Sequence, residues 1–418
     1  MTRRHFIGSA AAAAGSAALA SAADDPVRIA IVGVGDRGSQ HIRALAEIPF
    51  VQITALVDPD GNRTENAAAW IREKKGNRPM VTADMREAFD SKDVDAVLVA
   101  TTNHWHTLTA IWAMQAGKDV YVEKPVSHNI FESQQLVAAA RKYDRIVQGG
   151  TQRRSDGKFR RAMQMLHDGE IGDIYLAKWI FPRERDSIGF KAAEPPPNWL
   201  NWDLWLGPAQ EQPYHANLVH YNWHWFWDFG NGELGNNGIH LVDISRWGIN
   251  KGLPVKVTSW GGRWGYKDQA QTPNTQTVNW EYEDGSAIIG EIRNLYTTES
   301  MFWDFFGTKG YMHIASNGDF TVTMGRNKNP EPPVDPLPEI SHQQNFAEAV
   351  RSRDRNHLTA EVEQTALSSS LCHLGNISYR VGEQLEFDPV KQRFPNHDQA
   401  NALLTRNYRE PYVVPKIV

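Results

Sequence analysis

The chain has 418 residues, too many for one ordinary hydrophobic core, so two domains are expected. Its formal net charge of −5 at pH 7 argues against nucleic acid and against anionic membrane surfaces as partners. A single cysteine, Cys372, excludes an intrachain disulfide and any cysteine-based metal cluster.

Residues 1–22 have the features of an export signal. Arg3 and Arg4 precede an apolar run of 14 residues, and an Ala-Ser-Ala cleavage site ends the segment. The run is too short to span a bilayer comfortably, so no membrane association is expected after cleavage. The arginine pair favours the twin-arginine route over an ordinary secretory signal, and it predicts a periplasmic location. That route carries folded proteins, so a bound cofactor can travel inside them.

Residues 27–150 alternate short β-branched runs with helical stretches, which is the pattern of parallel βαβ units. The predicted strands are VRIAIVGVG, VQITALVD, VDAVLVATT, DVYVEKP and RIVQGG. We therefore expect an N-terminal Rossmann domain with a doubly wound parallel sheet.

A glycine-rich turn follows the first predicted strand and opens a helix. The residues of this turn that we expect to contact the pyrophosphate of a dinucleotide are Gly33, Gly35, Asp36, Arg37 and Gly38. The first glycine permits the tight turn, the second lets the backbone approach the ligand, and the third allows close helix packing. Asp58 ends the second strand, where it can accept a hydrogen bond from the adenosine ribose. An acid there repels a 2′-phosphate, so NAD is expected rather than NADP.

The pattern changes in residues 151–385. A helix and a strand are followed by a long irregular segment from 183 to 232, another helix and a series of alternating strands. Two of these strands are joined by a tight turn at Asp284 and Gly285. We expect an α/β domain with an antiparallel sheet. A tail over 386–418 has little periodicity and could reach over a neighbouring copy.

Six of the 15 tryptophans lie within residues 199–227. Flat indoles suit the apolar faces of pyranose rings, so Trp223 and Trp225 are expected to line a substrate pocket. Packing of the loop against the sheet is the alternative for most of the six. His220 and His224 have a spacing that can hold a metal on a helix, but no nearby acid or cysteine completes a ligand set, so no metal is expected.

Four stretches of the chain resemble the Gfo/Idh/MocA family of glucose–fructose oxidoreductase and inositol dehydrogenase. They are GVGDRG, VDAVLVATTNHWH, AGKDVYVEKPVS and GIHLVDISRW. The resemblance covers nearly the whole chain after the export signal. It implies a Rossmann domain, then an α/β domain whose large open antiparallel sheet joins the copies of a homo-oligomer.

The resemblance also implies catalytic roles. In the motif Glu123-Lys124-Pro125, the lysine would stabilise negative charge that develops on the substrate oxygen. His240 would act as the general base that takes the hydroxyl proton. The family often has an aspartate four residues before this histidine, where this chain has Asn236. Asn236 can orient a substrate or the imidazole, but an amide cannot stabilise an imidazolium as a carboxylate does, which weakens the expected base.

Further contacts are implied by the same resemblance. The cofactor contacts are Thr102, Asn103, His106 and Glu123. The substrate contacts are Asp243, Gln152 and Arg153. Structural packing is the alternative for all of these except Glu123. His373 and Asn376, one helical turn apart, are expected to pack or to cap.

Three functions follow from the sequence. The first is a periplasmic NAD-dependent oxidoreductase that acts on a sugar, polyol or glycoside hydroxyl with a tightly bound, recycled cofactor. The second is a redox-neutral, NAD-using glycoside hydrolase or epimerase. The third is a non-catalytic sugar-binding sensor, against which the presence of Lys124 and His240 argues.

Overall fold

A computed structural model describes residues 25–326 and 329–418, so the predicted export segment lies outside the described residues. Two sheets organise this part of the chain. No helix within it is both long enough and apolar enough to cross a membrane.

The first sheet is parallel and has helices on both faces. Its strands are β1 (Val27–Val32), β2 (Val51–Val57), β3 (Met80–Thr82), β4 (Ala96–Val99), β5 (Asp119–Val122) and β6 (Val147–Gly149). Its helices are α1 (Asp36–Ala46), α2 (Gly61–Lys75), α3 (Met85–Asp90), α4 (Asn103–Gln115) and α5 (Ile130–Lys142). The strand order is β3-β2-β1-β4-β5-β6. The order reverses between β1 and β4, which leaves a crevice beyond the carboxyl ends of these strands.

The second sheet has nine strands. They are β7 (Ile174–Pro182), β8 (Lys256–Gly262), β9 (Thr275–Glu281), β10 (Ala287–Arg293), β11 (Phe302–Gly307), β12 (Gly310–Ala315), β13 (Phe320–Met324), β14 (Asn329–Pro330) and β15 (Leu385–Glu386). Their order is β14-β13-β12-β11-β7-β10-β9-β8-β15. Its strand pairs are antiparallel, as predicted, except that β7 and β10 pair in parallel, which makes the sheet mixed. The long excursion between them makes the crossover possible.

Helices cover one face of the second sheet. The remaining α-helices of the described residues are α6 (Gly157–His167), α7 (Trp202–Leu206), α8 (Ile239–Ile249), α9 (His342–Ser352), α10 (Val362–Val381) and α11 (Asp398–Ala402). Residues of α6, α8 and α10 share an apolar core with the fully buried Trp179, Trp280 and Trp303 of the sheet. Burial alternates along β9 and β10, so the opposite face of the sheet stays partly exposed.

The C-terminal part of the chain returns to the first domain. Phe346 of α9 is buried in one apolar cluster with residues of β1. Tyr412 and Val414 are buried in another cluster beside β4 and α4. The end of the tail therefore packs on the first domain of its own chain, while Phe394 and Ala400 lie in the core of the second. Sequence periodicity could not reveal this packing, because the tail contributes isolated apolar residues. An arm over a neighbouring copy stays a prediction.

Candidate active site

The glycine-rich turn after β1 has the geometry of a nucleotide cradle. Gly33 has φ of +89°, and a Cβ there would lie 2.5 Å from the carbonyl oxygen of Ala100. A Cβ on Gly38 would lie 1.9 Å from the carbonyl oxygen of Gly33, so α1 packs directly on the turn. Helix α1 begins at Asp36 and presents its N-terminus there, which suits a pyrophosphate.

A cavity of about 270 Å³ extends from this turn to the second domain. The residues predicted from the sequence that line it are Gly33, Gly35, Asp36, Arg37, Asp58, Thr102, Asn103, His106, Glu123, Lys124, Trp223 and Asn236. Chain folding thus brings the predicted cofactor residues together with two residues from the second domain. Gly38 lies beneath the turn, outside the cavity.

Asp58 stands at the end of β2, on the wall of the cavity. One of its carboxylate oxygens accepts a hydrogen bond from the Val34 amide at 2.7 Å, and the other accepts from the Asp60 amide at 2.9 Å. Burial raises the pKa of Asp58 to about 6, although both amide bonds act to lower it. The carboxyl group is fixed in place, with lone pairs left for a ribose hydroxyl.

Arg37 and Glu123 line the cavity but are bonded to each other. The Arg37 Nε atom lies 2.7 Å from a Glu123 oxygen, and His41 Nε2 lies 2.8 Å from the same atom. Burial acts to raise the pKa of Glu123, but the Arg37 charge and the His41 hydrogen bond outweigh it and hold this pKa well below its usual value. Both residues stand on the cavity wall, and their predicted contact with the cofactor stays a prediction. They form an ion pair between a partly exposed guanidinium and a buried carboxylate, directly before Lys124 in the chain.

Lys124 follows β5 and reaches into the second domain. Its Nζ atom donates to the backbone carbonyl of Asn236 at 2.7 Å. That carbonyl belongs to a π-helical turn, Leu234–Gly238, and such turns occur often at functional sites. Burial lowers the pKa of Lys124, and the negative charge of Glu123 opposes this effect.

His240 lies in the first turn of α8, four residues after Asn236. It does not line the cavity itself, yet the positive charge of Lys124 acts on it. Burial is the main reason why the pKa of His240 lies well below its usual value, and the Lys124 charge lowers it further. The imidazole is therefore neutral at pH 7. Its Nδ1 atom is buried without a hydrogen-bond partner among the described residues.

The amide that replaces the family aspartate turns towards another acid. Asn236 Nδ2 donates to Glu233 at 3.4 Å, and Asn237 donates to the same oxygen. The fully buried carboxylate of Glu233 is held by Arg185 at 2.9 Å. Sequence reasoning missed this pair. Glu233 could have been found from the sequence, because it lies one helical turn before Asn236. Arg185 could not, because it is distant from both residues in the chain.

Asp243 is not a substrate contact, which corrects the prediction. It is 1% exposed, and both its oxygens are bonded to Arg154, at 2.8 and 2.9 Å. Ser368 of α10 adds a hydrogen bond of 2.6 Å. The residue faces α10 instead of the cavity and forms a buried structural ion pair.

Gln152 and Arg153, also predicted to contact substrate, lie outside this cavity. Arg153 places its guanidinium 5.0 Å from the ring centres of both Phe159 and Trp303. Gln152 has a buried Oε1 atom with no partner among the described residues. Neither residue lines the cavity, although the charge of Arg153 does lower the pKa of His240.

The start of α4 holds the loops around the lysine. Each ring nitrogen of His106 lies close to a backbone carbonyl oxygen, Nδ1 at 2.6 Å from Pro125 and Nε2 at 3.1 Å from Thr101. Because a neutral imidazole has a single N–H, His106 donates to only one of these two carbonyls. The residue also lines the cavity, and its predicted contact with the cofactor stays a prediction. Asn103 Nδ2 donates to Asn231 Oδ1 at 3.0 Å, while Thr102 lines the cavity just before the helix.

Four of the six clustered tryptophans share an apolar cluster with other residues of their own segment, and none of the described strands of the second sheet takes part in it. Trp223 does line the cavity, and it stacks on His224 with ring centres 3.6 Å apart. Trp225 is buried away from the cavity, beneath Arg185. His220 contacts Asp60 at 3.3 Å. Among residues 25–326 and 329–418, no group of three or more potential metal ligands is found.

Comparison with family models gives two matches. Residues 27–151 match the model described as "Oxidoreductase family, NAD-binding Rossmann fold". Residues 186–414 match the model described as "Oxidoreductase family, C-terminal alpha/beta domain". The predicted Rossmann fold and NAD as its cofactor are thereby confirmed.

Curated relatives include two proteins of Saccharopolyspora erythraea. A "Glycosyl hydrolase family 109 protein" is 27% identical over 283 residues, which cover 65% of this chain and 56% of the relative. "Inositol 2-dehydrogenase 3" is 32% identical over 156 residues, 37% of this chain and 44% of the relative. The chain spans about half the length of the curated relatives it matches.

Solved structures share the fold at low identity. The WlbA dehydrogenase from Bordetella pertussis, in complex with NADH and UDP-GlcNAcA, has a TM-score of 0.67 and 17% identity, covering 87% of this chain and 99% of the other. An aldose-aldose oxidoreductase from Caulobacter crescentus, complexed with glycerol, has a TM-score of 0.65 and 17% identity, covering 87% and 100%.

Proposed function

Because the chain belongs to the Gfo/Idh/MocA oxidoreductase family, we propose that it is a periplasmic NAD-dependent oxidoreductase that acts on a hydroxyl group of a sugar, polyol or glycoside. One observation carries the proposal. The ammonium of Lys124 stands where the nucleotide cavity meets the second domain, held by the Asn236 carbonyl. A cation at that point can bind the oxygen whose carbon is oxidised.

NAD, when bound, supplies the hydride acceptor. The residues of the cavity fit it, because the glycine turn leaves no room for side chains and Asp58 offers a carboxyl group for the ribose. Lys124 has three N–H donors, of which one bonds to Asn236. The others are available to a substrate oxygen, where they favour the negative charge that develops as its proton leaves.

His240 is the general base of this scheme. Its imidazole is neutral because burial and the Lys124 charge disfavour protonation. No carboxylate stands at position 236, and Glu233 is occupied by Arg185. His240 is therefore a weak base, so the reaction depends on Lys124 to make the hydroxyl more acidic.

The substrate class is supported from two directions. Trp223 and His224 form a stacked aromatic surface on the cavity wall, which suits the apolar face of a pyranose ring. The relatives include an inositol 2-dehydrogenase, and the structural neighbours include an aldose-aldose oxidoreductase.

The arginine pair Arg3-Arg4 supports export by the twin-arginine route to the periplasm. Free nicotinamide cofactor is not supplied there, so the protein takes NAD with it and keeps it. A retained cofactor has to be reoxidised on the enzyme, and reduction of a second sugar achieves this.

A homo-oligomer through the second sheet belongs to the same proposal. The sheet face that helices leave uncovered carries the partly buried Leu176, Ile289 and Phe302 on neighbouring strands. Apolar residues on an open sheet face favour contact with a second copy.

A redox-neutral glycoside hydrolase is the second candidate. It is favoured by the similarity to the glycosyl hydrolase family 109 protein, which extends over 283 residues and so beyond the first domain. Such an enzyme oxidises its substrate only transiently and regenerates NAD in each cycle.

One experiment separates these functions. The protein is purified from the periplasmic fraction and denatured, and the released nucleotide is identified by mass spectrometry. The undenatured protein is then incubated with sugars and glycosides, alone and in pairs, without added NAD. Bound NADH, or turnover only with a second sugar, supports the oxidoreductase. Release of an aglycone without net reduction supports the hydrolase. A nucleotide-free protein that needs millimolar NAD refutes the retained cofactor.

A further inference from the structure

A second cavity of about 240 Å³ lies behind the active site. Four parts of the chain enclose it: the loop after Lys124, the loop before the π-helical turn, helix α10, and the C-terminal segment. The residues on which its chemistry depends are His128, Asn231, His373, Arg380 and Arg406. Neither the nucleotide cradle nor Lys124 belongs to its wall.

Two guanidinium groups give this cavity a positive wall. Arg380 lies 5.1 Å from the ring centre of Trp227, and its guanidinium has no acceptor among the described residues. The Nη1 atom of Arg406 donates to the backbone carbonyl of Asp228 at 2.7 Å and to Nδ1 of His128 at 3.2 Å. Its Nη2 atom is 3.9 Å from the carboxylate of Asp228, beyond hydrogen-bond distance.

The negative charge on the wall is smaller. Asp228 is the acid of the lining, and its side chain is 55% exposed, so solvent screens it. The two histidines of the wall are neutral at pH 7, because burial lowers the pKa of His373 to about 3 and the pKa of His128 well below its usual value. Two cations therefore face one exposed anion.

His373 adds an unsatisfied polar atom inside the cavity wall. Only 3% of the residue is exposed, and its Nε2 atom pairs with the Ser127 hydroxyl at 2.9 Å. Its Nδ1 atom is buried without a partner among the described residues. Buried polar atoms without partners are rare in folded proteins, and a ligand is one way to satisfy them.

We propose that this cavity is a binding site for a small oxyanion, either a carboxylate or a phosphate group, held between Arg380 and Arg406 with His373 at its base. Guanidinium groups prefer planar or tetrahedral oxyanions, because two of their N–H groups can bond to two oxygens at once. Polar and apolar residues share the lining, so the oxyanion group meets the arginines while any apolar part of the occupant meets Trp227 and Leu403.

The proposed site and the nucleotide cavity share no lining residue, but hydrogen bonds of one residue link their walls. Asn231 stands between them, accepting from Asn103 on the nucleotide side and donating to the His128 carbonyl on the other. Its backbone carbonyl accepts from Asn376 and from the amide of Gly235, at the start of the π-helical turn. The proposal nevertheless rests only on the cavity, and it holds whatever reaction the enzyme performs.

The test is a calorimetric titration of the folded protein saturated with NAD, which keeps phosphate away from the glycine turn. Inorganic phosphate and acetate are the probes, with sodium chloride of equal ionic strength as the baseline. The variants are Arg380→Gln and His373→Asn. The matched control is Arg351→Gln, another exposed arginine that lies over an aromatic ring, Phe50, far from the cavity.

The expected result is saturable binding of at least one probe near one equivalent, weakened about tenfold or more by Arg380→Gln and unchanged by Arg351→Gln. Preference for phosphate or for acetate identifies the occupant's chemical class. If His373→Asn fails to fold, Arg380→Gln still decides the question. Heats equal to those of chloride for both probes overturn the proposal. Equal weakening by Arg380→Gln and Arg351→Gln, or no weakening by Arg380→Gln, also overturns it.

Discussion

The ammonium of Lys124 and the backbone carbonyl of Asn236 are joined by a hydrogen bond of 2.7 Å that connects the two domains. The lysine comes from the end of β5, and the carbonyl comes from the π-helical turn before α8. The position of the cation over the cavity is therefore set jointly by both domains. A change at either end should alter catalysis more than it alters nucleotide binding.

Replacement of the lysine tests its role directly. Lys124→Met removes the donor to the substrate oxygen and should lower kcat by about 100- to 1,000-fold. NAD affinity should change little, because the glycine turn and Asp58 are untouched. Steady-state kinetics with a substrate found in the panel, together with NAD titration, measure both. Lys74→Met, at an exposed surface pair with Glu73, is the control and should match the unmodified protein. Full activity of Lys124→Met would contradict the assigned chemistry.

NAD affinity should depend on pH through Asp58. Its pKa is raised to about 6 by burial, so the group is ionised at pH 7.5 and protonated at pH 5. The ionised form is the stronger acceptor for ribose hydroxyls, so NAD and the proton compete. The Kd for NAD should be constant above pH 7 and rise as pH falls through 6. Asp58→Asn should bind more weakly at pH 8 and lose this dependence. A flat profile for the unmodified protein down to pH 5 would count against the assignment.

Glu233 should influence the lysine from a distance. Its negative charge acts to raise the pKa of Lys124, against the effect of burial. Glu233→Gln should therefore lower that pKa and move the alkaline limb of the kcat profile to lower pH. A purely structural role would lower activity equally at all pH values.

Glu233→Gln also leaves Arg185 buried without its partner, which costs stability. The double variant Glu233→Gln with Arg185→Met removes that problem and should show the same pH shift. Glu281→Gln, at a half-exposed pair with Lys256, is the control and should leave the profile in place.

Asp243 should matter for stability and not for substrate binding. Asp243→Asn leaves Arg154 buried and unpaired, and it should lower the free energy of unfolding by about 3 kcal/mol or more. KM should stay unchanged, because the residue does not reach the cavity. Urea denaturation and steady-state kinetics check the two parts. Asp319→Asn, at an exposed pair with Lys158, is the matched control and should change stability little. A raised KM with unchanged stability would restore the original expectation of a substrate contact.

The sequence predicted those features that depend on short stretches of chain. The turn from Gly33 to Gly38 combines strand, glycines and helix within a few residues, so its function follows from local pattern. The role expected of Lys124 came instead from the resemblance of the motif after β5 to the family.

Features that depend on distant partners could not be predicted. The helical period places Asp243 on a face of α8, but it does not tell which side chain meets that face. Arg154 meets it, 89 positions earlier in the chain. The same reason explains why Glu233 and Arg185 were missed, and why β7 and β10 were not expected to pair in parallel.

The burial of Tyr412 and Val414 in the first domain has a consequence for the order in which the protein is made. Strands β1 to β5 leave the ribosome early, yet their core lacks two of its members until position 414 has been translated. Tyr412 also forms part of the nucleotide cavity wall. The domain that is synthesised first is thus completed last, and a chain interrupted before position 412 carries a nucleotide cavity with one side open.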